Sequence, residues 1–440
     1  MLTETLDKGS LSNLVLNDAF KKYSLSTQDK KFISKLYLGT LEKAVYLDFI
    51  IDNFSKTKTE KMKPVIRNIL RMGVYQLLFM DSVPERAALS ESLKLCDKRK
   101  ISGLKGFVNG VLRAITKNDI NFDIPDYAKA SLPLWLYEKI VSDLGEENSK
   151  LYFDAINNKK PLITVRIVFE KNDKEVFKKE VKESLLSDGC TVKEIPFVFE
   201  ALKISDFDAL TELKAFKNGW IIVQDLSSQL VSKALEFDEL KDKEITIIDV
   251  CAAPGGKSLH LADIYQKAAI FAFDQNKYKT SLIEENKKRL NIFNIQTNVH
   301  DSRETLKELE NKADIVVADL PCSGLGTINE KPDIRTRIKE DDFDELIKLQ
   351  REILKASEKY VKPGGLLLFS TCTVNPGENI ENAFWFKNNF DFDSETLEGN
   401  IPDCLLTEEQ RKNLKSGCLQ LINGVNETNG FFISLFRKNK

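Results

Sequence analysis

The chain has 440 residues, 42% of them hydrophobic and 30% charged, with a formal net charge of −2. That length exceeds one ordinary core and implies two or three domains. Seven cysteines with no Cys-x-x-Cys pair argue against a disulfide framework or a metal site and for a reducing compartment, while residues 1–10 hold no apolar signal segment and no run approaches ~20 apolar residues, so a soluble cytoplasmic protein, not a membrane one, is expected.

Charge is unevenly placed. Residues 1–130 carry 22 Lys+Arg against 15 Asp+Glu, a net of +7, which leaves −9 on the rest. Contact with phosphates therefore belongs to the amino-terminal part, although solvated helices are often modestly basic. That part reads as helical. Val65 to Leu78 has the pattern of a core helix, and Leu104, Phe107, Val108, Val111, Leu112 and Ile115 fall at the i, i+3, i+4, i+7 spacing of a buried face. Arg67, Arg71 and Arg113 are open to two readings, facing a polyanion or pairing locally. Asp123-Ile124-Pro125-Asp126-Tyr127 reads as a linker. A helical stretch opens at Ser131, Leu162 to Val168 reads as a strand, and a Lys/Glu-rich helix runs from Asp173 to Leu186. The chain has no internal repeat and no low-complexity tract.

From residue 217 onward the pattern is strand, turn, helix. Ile245 to Ile248 is strand-like, and Asp249-Val250-Cys251-Ala252-Ala253-Pro254-Gly255-Gly256-Lys257-Ser258 follows as a glycine-rich turn that opens a helix. Such a corner lets the backbone approach a nucleotide closely and offers a helix amino end. It matches neither the Gly-x-Gly-x-x-Gly dinucleotide fingerprint nor the phosphate-binding loop that ends in Gly-Lys-Ser/Thr. The strand 269–273 then ends at Asp274, near the ~20-residue distance of a ribose-binding acid. The strand 295–299 leads to Asp301, and the buried run 313–318 to Asp319-Leu320-Pro321-Cys322-Ser323-Gly324. A last apolar run, 365–369, leads to Ser370-Thr371-Cys372-Thr373-Val374. One acid at a strand end is ordinary, but three in series after a glycine turn suggest a nucleoside site. A single cysteine is most often a small buried hydrophobe. Cys322 and Cys372 instead sit where turns begin, at the edge where α/β sheets carry reactive groups. Neither His260 nor His300 has partners at metal-ligand spacing.

These motifs resemble those of the RNA cytosine-5 methyltransferases of the Sun (Fmu) type, in the bacterial branch that acts on 16S ribosomal RNA. Cys-Ala-Ala-Pro-Gly-Gly-Lys, Asp-Leu-Pro-Cys-Ser-Gly and Ser-Thr-Cys all match, and Gln224-Asp225-Leu226-Ser227-Ser228-Gln229 resembles the first motif of that catalytic domain. Residues 70–77 and 106–113 resemble phrases of the NusB-like helical RNA-binding domain. The resemblance implies a multidomain chain: an all-α NusB-like domain over 1–125, a small α+β RNA-gripping subdomain with linking helices over 126–216, and a Rossmann-like α/β methyltransferase domain over 217–440. It also implies S-adenosylmethionine as methyl donor and S-adenosylhomocysteine as product. The donor would be held by Cys251, Ala252, Ala253, Pro254, Gly255, Gly256, Lys257, Asp274, Asp301 and Asp319. The partner would be 16S ribosomal RNA or an assembly intermediate of the small subunit, and the protein a monomer.

The chemistry needs a thiol because carbon 5 of cytosine is a poor nucleophile until a group adds at carbon 6. The family gives that attack to the position of Cys372, links release to that of Cys322, as base or as helper of another base, and places Asp319 near ring N3. The base must leave its stack to reach the thiol. Two departures stand out. Asn329 to Arg335 replaces a more basic stretch, and Asn429-Gly430-Phe431-Phe432 replaces Asp-Gly-Phe-Phe, with Phe431 and Phe432 expected to open the last core strand. Methylation of transfer RNA uses the same motifs. An RNA-binding assembly or antitermination factor would not need both cysteines, and transfer to an exocyclic nitrogen uses an Asn-Pro-Pro-Tyr type of motif in place of residues 319–322.

Overall fold

In the computed structural model the chain is described over residues 1–158, 163–169 and 173–440. It divides into two compact units: Met1–Ser149 with Ile328–Glu340, and Lys150–Thr327 with Asp341–Lys440. This partition differs from the three segments 1–125, 126–216 and 217–440 read from the sequence.

The first unit is helical. Its helices include α1 (Ser12–Lys22), α2 (Thr27–Glu42), α3 (Ala44–Phe54), α4 (Pro64–Phe79), α5 (Glu85–Lys98) and α6 (Lys105–Lys117). Two of the starts have a plain local cause. Ser26 and Asp29 form a reciprocal cap on α2, and Pro64 occupies the first turn of α4, where its missing N–H costs nothing. The core is built from Ile50 and Ile51 of α3, Ile69, Leu70 and Val74 of α4, and Val108, Val111, Leu112 and Ile115 of α6. Leu104 leaves the predicted face: it sits in the short turn 102–104 before α6 and is 41% exposed. Two of the three arginines pair locally. Arg67 bonds Asp7 at 2.5 Å, and buried Arg71 grips both oxygens of Asp48 at 2.7 and 2.5 Å. Arg113 is exposed.

The segment 328–340 belongs to this unit although it lies far along the chain. Ser12 Oγ donates to Asp333, and the fully buried Arg335 donates from Nη1 to the carbonyl of Ala130 at 2.6 Å. The stretch that departs from the family's basic pattern thus spends Arg335 inside the fold, away from any surface.

The second unit holds two sheets. The smaller is antiparallel, order β2-β3-β1-β4, from β1 (Ile163–Ile167), β2 (Thr191–Glu194), β3 (Ala201–Ser205) and β4 (Ile221–Val223). Leu162, the first residue of the expected strand, lies outside the described residues, and the expected helix runs Lys174–Ser187. Arg166 on β1 is not an RNA-facing residue: it is fully buried, donating to Gln224 Oε1 at 2.9 Å and Asp263 Oδ2 at 2.7 Å.

The larger sheet has eight strands: β5 (Thr246–Asp249), β6 (Ala269–Asp274), β7 (Ile295–Val299), β8 (Ala313–Asp319), β9 (Val361–Thr371), β10 (Phe392–Ser394), β11 (Cys418–Leu421) and β12 (Phe431–Lys438). Their order is β10-β12-β9-β8-β5-β6-β7, with β11 paired to β12. Strands β5 to β9 are parallel, and β12 runs antiparallel to β9. The predicted strands all appear, because runs such as Ile315-Val316-Val317-Ala318 are apolar on both faces and buried on both. After β5 the chain winds one way to β6 and β7, then returns to the other side of β5 for β8 and β9. That reversal creates a crevice at the carboxyl ends of β5 and β8.

Candidate active site at the carboxyl edge of the large sheet

The crevice is floored by the turn after β5. Gly255 has φ +104°, a conformation that favours glycine, and a Cβ there would press on Leu259 at 3.1 Å and Ile283 at 3.2 Å. The helix Gly256–Ile264 starts directly after it. Asp249, closing β5, is buried and accepts from Ser258 Oγ at 2.5 Å; burial pushes its carboxyl up to about 7. Burial pushes the Cys251 thiol up to about 12, with Ser302 Oγ 3.7 Å away. Cys251 is therefore a neutral wall of the crevice and no nucleophile.

The three predicted acids sit at three successive strand ends, each held differently. Asp274, 4% exposed, accepts the Ala253 N–H at 3.0 Å and the Gln275 N–H at 2.8 Å, with Lys279 Nζ at 3.1 Å. Asp301 is gripped by Arg303 at 2.6–3.2 Å, which lowers its carboxyl to about 2. Asp319 receives Lys257 Nζ at 2.5 Å and Ser370 Oγ at 2.8 Å. Cys251, Ala253, Asp274, Asp301 and Asp319 line one cavity of about 450 Å³. Ala252, Pro254, Gly255, Gly256 and Lys257 do not line it. Ala252 donates its N–H to the Phe273 carbonyl at 2.8 Å, and Lys257 stands over the Phe431 ring at 5.4 Å. Lys279, Ser302 and Arg303 also line the cavity and do not stand out in the sequence. Ser302 and Arg303 follow Asp301 directly, a weak signal, and Lys279 is one of many lysines on a polar helix.

The two cysteines meet at this edge, with Cys322 Sγ 3.3 Å from Cys372 Sγ. The Cys322 thiol is held well above its ordinary range, first by its hydrogen bond to Cys372 and then by burial. Two thiolates at this distance would repel, so the pair ionises once. The loops behind them are packed backbone on backbone. Gly326 N–H donates to the Cys372 carbonyl at 3.0 Å, and a Cβ on Gly326 would fall 1.8 Å from the Gly430 carbonyl oxygen. Asn429 Nδ2 donates to Asp225 Oδ2 at 3.0 Å. Asp225 is a half-buried carboxylate that caps the helix Leu226–Ala234, so a second acid in place of Asn429 would set two carboxylates face to face.

The donor set suits S-adenosylmethionine. Ribose hydroxyls are donors and need an acceptor such as Asp274, and the ammonium of the methionine moiety needs a carboxylate. The cavity volume lies in the range of small-molecule sites. A doubly wound sheet with this crevice and donor set has the architecture of an S-adenosylmethionine-dependent methyltransferase. Residues 237–437 match the family model of the 16S rRNA methyltransferase RsmB/F, and residues 1–117 that of the NusB family. The chain is 33% identical to the probable ribosomal RNA small subunit methyltransferase B of Bacillus subtilis, over 97% of this chain and 94% of that one. It is 31% identical to its counterpart in Synechocystis, over 98% and 96%. Among solved structures, that of PH0851 superposes with a TM-score of 0.79 at 28% identity, covering 96% of this chain and 93% of that one. The chain belongs to the ribosomal RNA small subunit methyltransferase B family.

Proposed function

We propose that this enzyme methylates carbon 5 of a specific cytosine in 16S ribosomal RNA through a covalent adduct with Cys372. The observation that carries the reading is the pair of thiols 3.3 Å apart beside Asp319, which itself lines the cofactor cavity. The substrate follows from the relatives at 33% and 31% identity, which are named for the RNA of the small ribosomal subunit. S-adenosylmethionine supplies the methyl group and leaves as S-adenosylhomocysteine. A mechanism that needs two cooperating thiols finds them here in one place: among the described residues, Cys322 and Cys372 are the cysteines in contact with each other.

The thiolate of Cys372 forms a bond to carbon 6, and the ring's C5–C6 electrons move to carbon 5, which takes the methyl group. Asp319 orients the base at its N3 edge. A base, Cys322 or a group that Cys322 assists, then takes the carbon-5 proton; the C–H electrons re-form the C5–C6 double bond and the Cys372 sulfur leaves carbon 6 as thiolate. The test is a denaturing gel with radiolabelled donor and unmodified RNA, joined to bisulfite sequencing of RNA with and without the gene. Cys372→Ala should give no turnover and no adduct, and Cys322→Ala should accumulate a methylated adduct. An adduct in Cys372→Ala but not in Cys322→Ala would reverse the two roles. Adducts in neither would remove support for the covalent route.

A further inference from the structure

Behind the two thiols lies a carboxylate that takes no part in the bond-making steps. Glu378 is fully buried and, among the described residues, forms no ion pair. Each of its oxygens instead receives two donors. Oε2 takes the Ser323 N–H at 2.9 Å and Gln350 Nε2 at 2.8 Å, and Oε1 takes Ser323 Oγ at 2.5 Å and Asn375 Nδ2 at 3.0 Å. Three of these donors belong to the two cysteine loops. Ser323 follows Cys322, and its Oγ also meets Thr373 Oγ1, next to Cys372, at 2.6 Å. The fourth is tied to them, since Gln350 Nε2 also reaches the carbonyl of Pro321, the residue before Cys322, at 2.9 Å.

We propose that Glu378 is a positioning residue that fixes the Cys322 loop against the Cys372 loop for adduct formation and release. The inference rests on the two-thiol reading above. A buried carboxylate is costly unless its lone pairs are filled, and here four donors fill them. A neutral amide could not accept all four, since its nitrogen would face donors, so the brace itself calls for a carboxylate. An uncompensated anion on the Cys322 side opposes a second anion there. Glu378 is one of the causes that hold the Cys322 thiol up, behind the bond to Cys372 and burial. Geometry and charge thus act together: the same carboxylate that ties the two loops also helps to hold the Cys322 thiol above its ordinary range beside Cys372.

The test uses the full chain and Glu378→Gln, whose amide turns one acceptor into a donor facing the Ser323 N–H and the Gln350 amide. A misplacement near 1 Å at reacting atoms costs ~10²-fold in rate. The expected result is a fall in kcat of about that size, with KM for RNA and affinity for S-adenosylmethionine within about twofold. The pH dependence of thiol alkylation by iodoacetamide should shift so that the second cysteine reacts at lower pH. Glu378→Asp, which keeps the charge, should recover more of kcat than Glu378→Gln. Should Glu378→Gln prove insoluble, Ser323→Ala removes one donor and the bridge to Thr373, and the same split between kcat and KM is expected. The proposal is overturned if kcat and the alkylation profile are unchanged, or if Asp and Gln variants lose RNA and cofactor binding together in proportion to stability. Failure of the two-thiol reading would show separately, as turnover by Cys372→Ala.

Discussion

At the scale of single residues, Asp274 gives the most direct check of the cofactor site. It is the buried acid at the end of β6, and its side chain lines the cavity. Losing its charge-assisted hydrogen bonds to a ribose should weaken S-adenosylmethionine by about 1.5–3 kcal/mol in Asp274→Ala, read by titration calorimetry; unchanged affinity would take Asp274 off the ribose. Two other buried residues make a prediction about pH. His260, 2% exposed, faces Glu200, Arg166 and Lys233, and burial lowers it from 6.5 to about 4. Between those values the unfolded chain binds the extra proton, so this residue's contribution to stability is lost as pH falls. Asp249 works the other way. Burial raises it from 3.8 to about 7, so between those values the folded chain holds the extra proton and stability falls as pH rises. Each effect is on the order of 3–4 kcal/mol across its window, and between about pH 5 and 6.5 they oppose. Asp249→Asn should therefore become more stable with rising pH in that interval, and His260→Asn less stable, in urea midpoints measured at the two ends. Parallel slopes in the two variants would contradict the assignment. Neither slope is readable from the sequence. His260 is legible there as a helix residue behind the turn, but its titration depends on Glu200 and Arg166, which the chain order keeps far away.

At the scale of elements, the parallel strands are legible in the sequence and the small sheet is less so. Strands such as β8 announce themselves because both faces are apolar. The end-of-strand positions of Asp274, Asp301, Asp319, Cys322 and Cys372 follow from that, since where a strand stops decides where its next side chain points. Arg166 escapes such a reading because a charged residue in a strand normally faces water. Here its partner Asp263 lies 97 residues away on the helix after the glycine turn. Leu104 escapes it for a local reason, since the turn at 102–104 breaks the helical period before α6 begins. Arg166 thus ties the small sheet to the helix that starts the cofactor turn. Removing one partner of a buried pair leaves the other charge stranded, so Arg166→Ala should destabilise this unit by about 3–5 kcal/mol in chemical denaturation. A loss under about 1 kcal/mol, as for an exposed pair, would mean that the link is not carried by this contact.

At the scale of the whole chain, composition locates the basic part but not the course of the backbone. No pattern in residues 328–340 announces that Asp333 will meet Ser12, a contact spanning 321 residues. The same holds for the segment 126–216. Its residues Val168, Ile195, Val198 and Ala201 share one core with Ile247 of β5 and Ile270 of β6, so a fragment cut at residue 217 would expose part of its own core. The test of RNA binding by the amino-terminal unit therefore belongs on the full chain. Lys21 and Lys22 of α1 and Lys30 and Lys35 of α2 are exposed, and among the described residues none is in an ion pair. Lysines that neutralise no carboxylate are free to neutralise phosphates, and each phosphate no longer neutralised should lower the salt slope of binding by roughly 0.7–0.9. Changing all four to Gln should weaken RNA binding at low salt and flatten the slope by up to about 3, while S-adenosylmethionine affinity stays as it was. If affinity and slope both hold, the +7 of residues 1–130 is a solvated surface, and the RNA is gripped elsewhere.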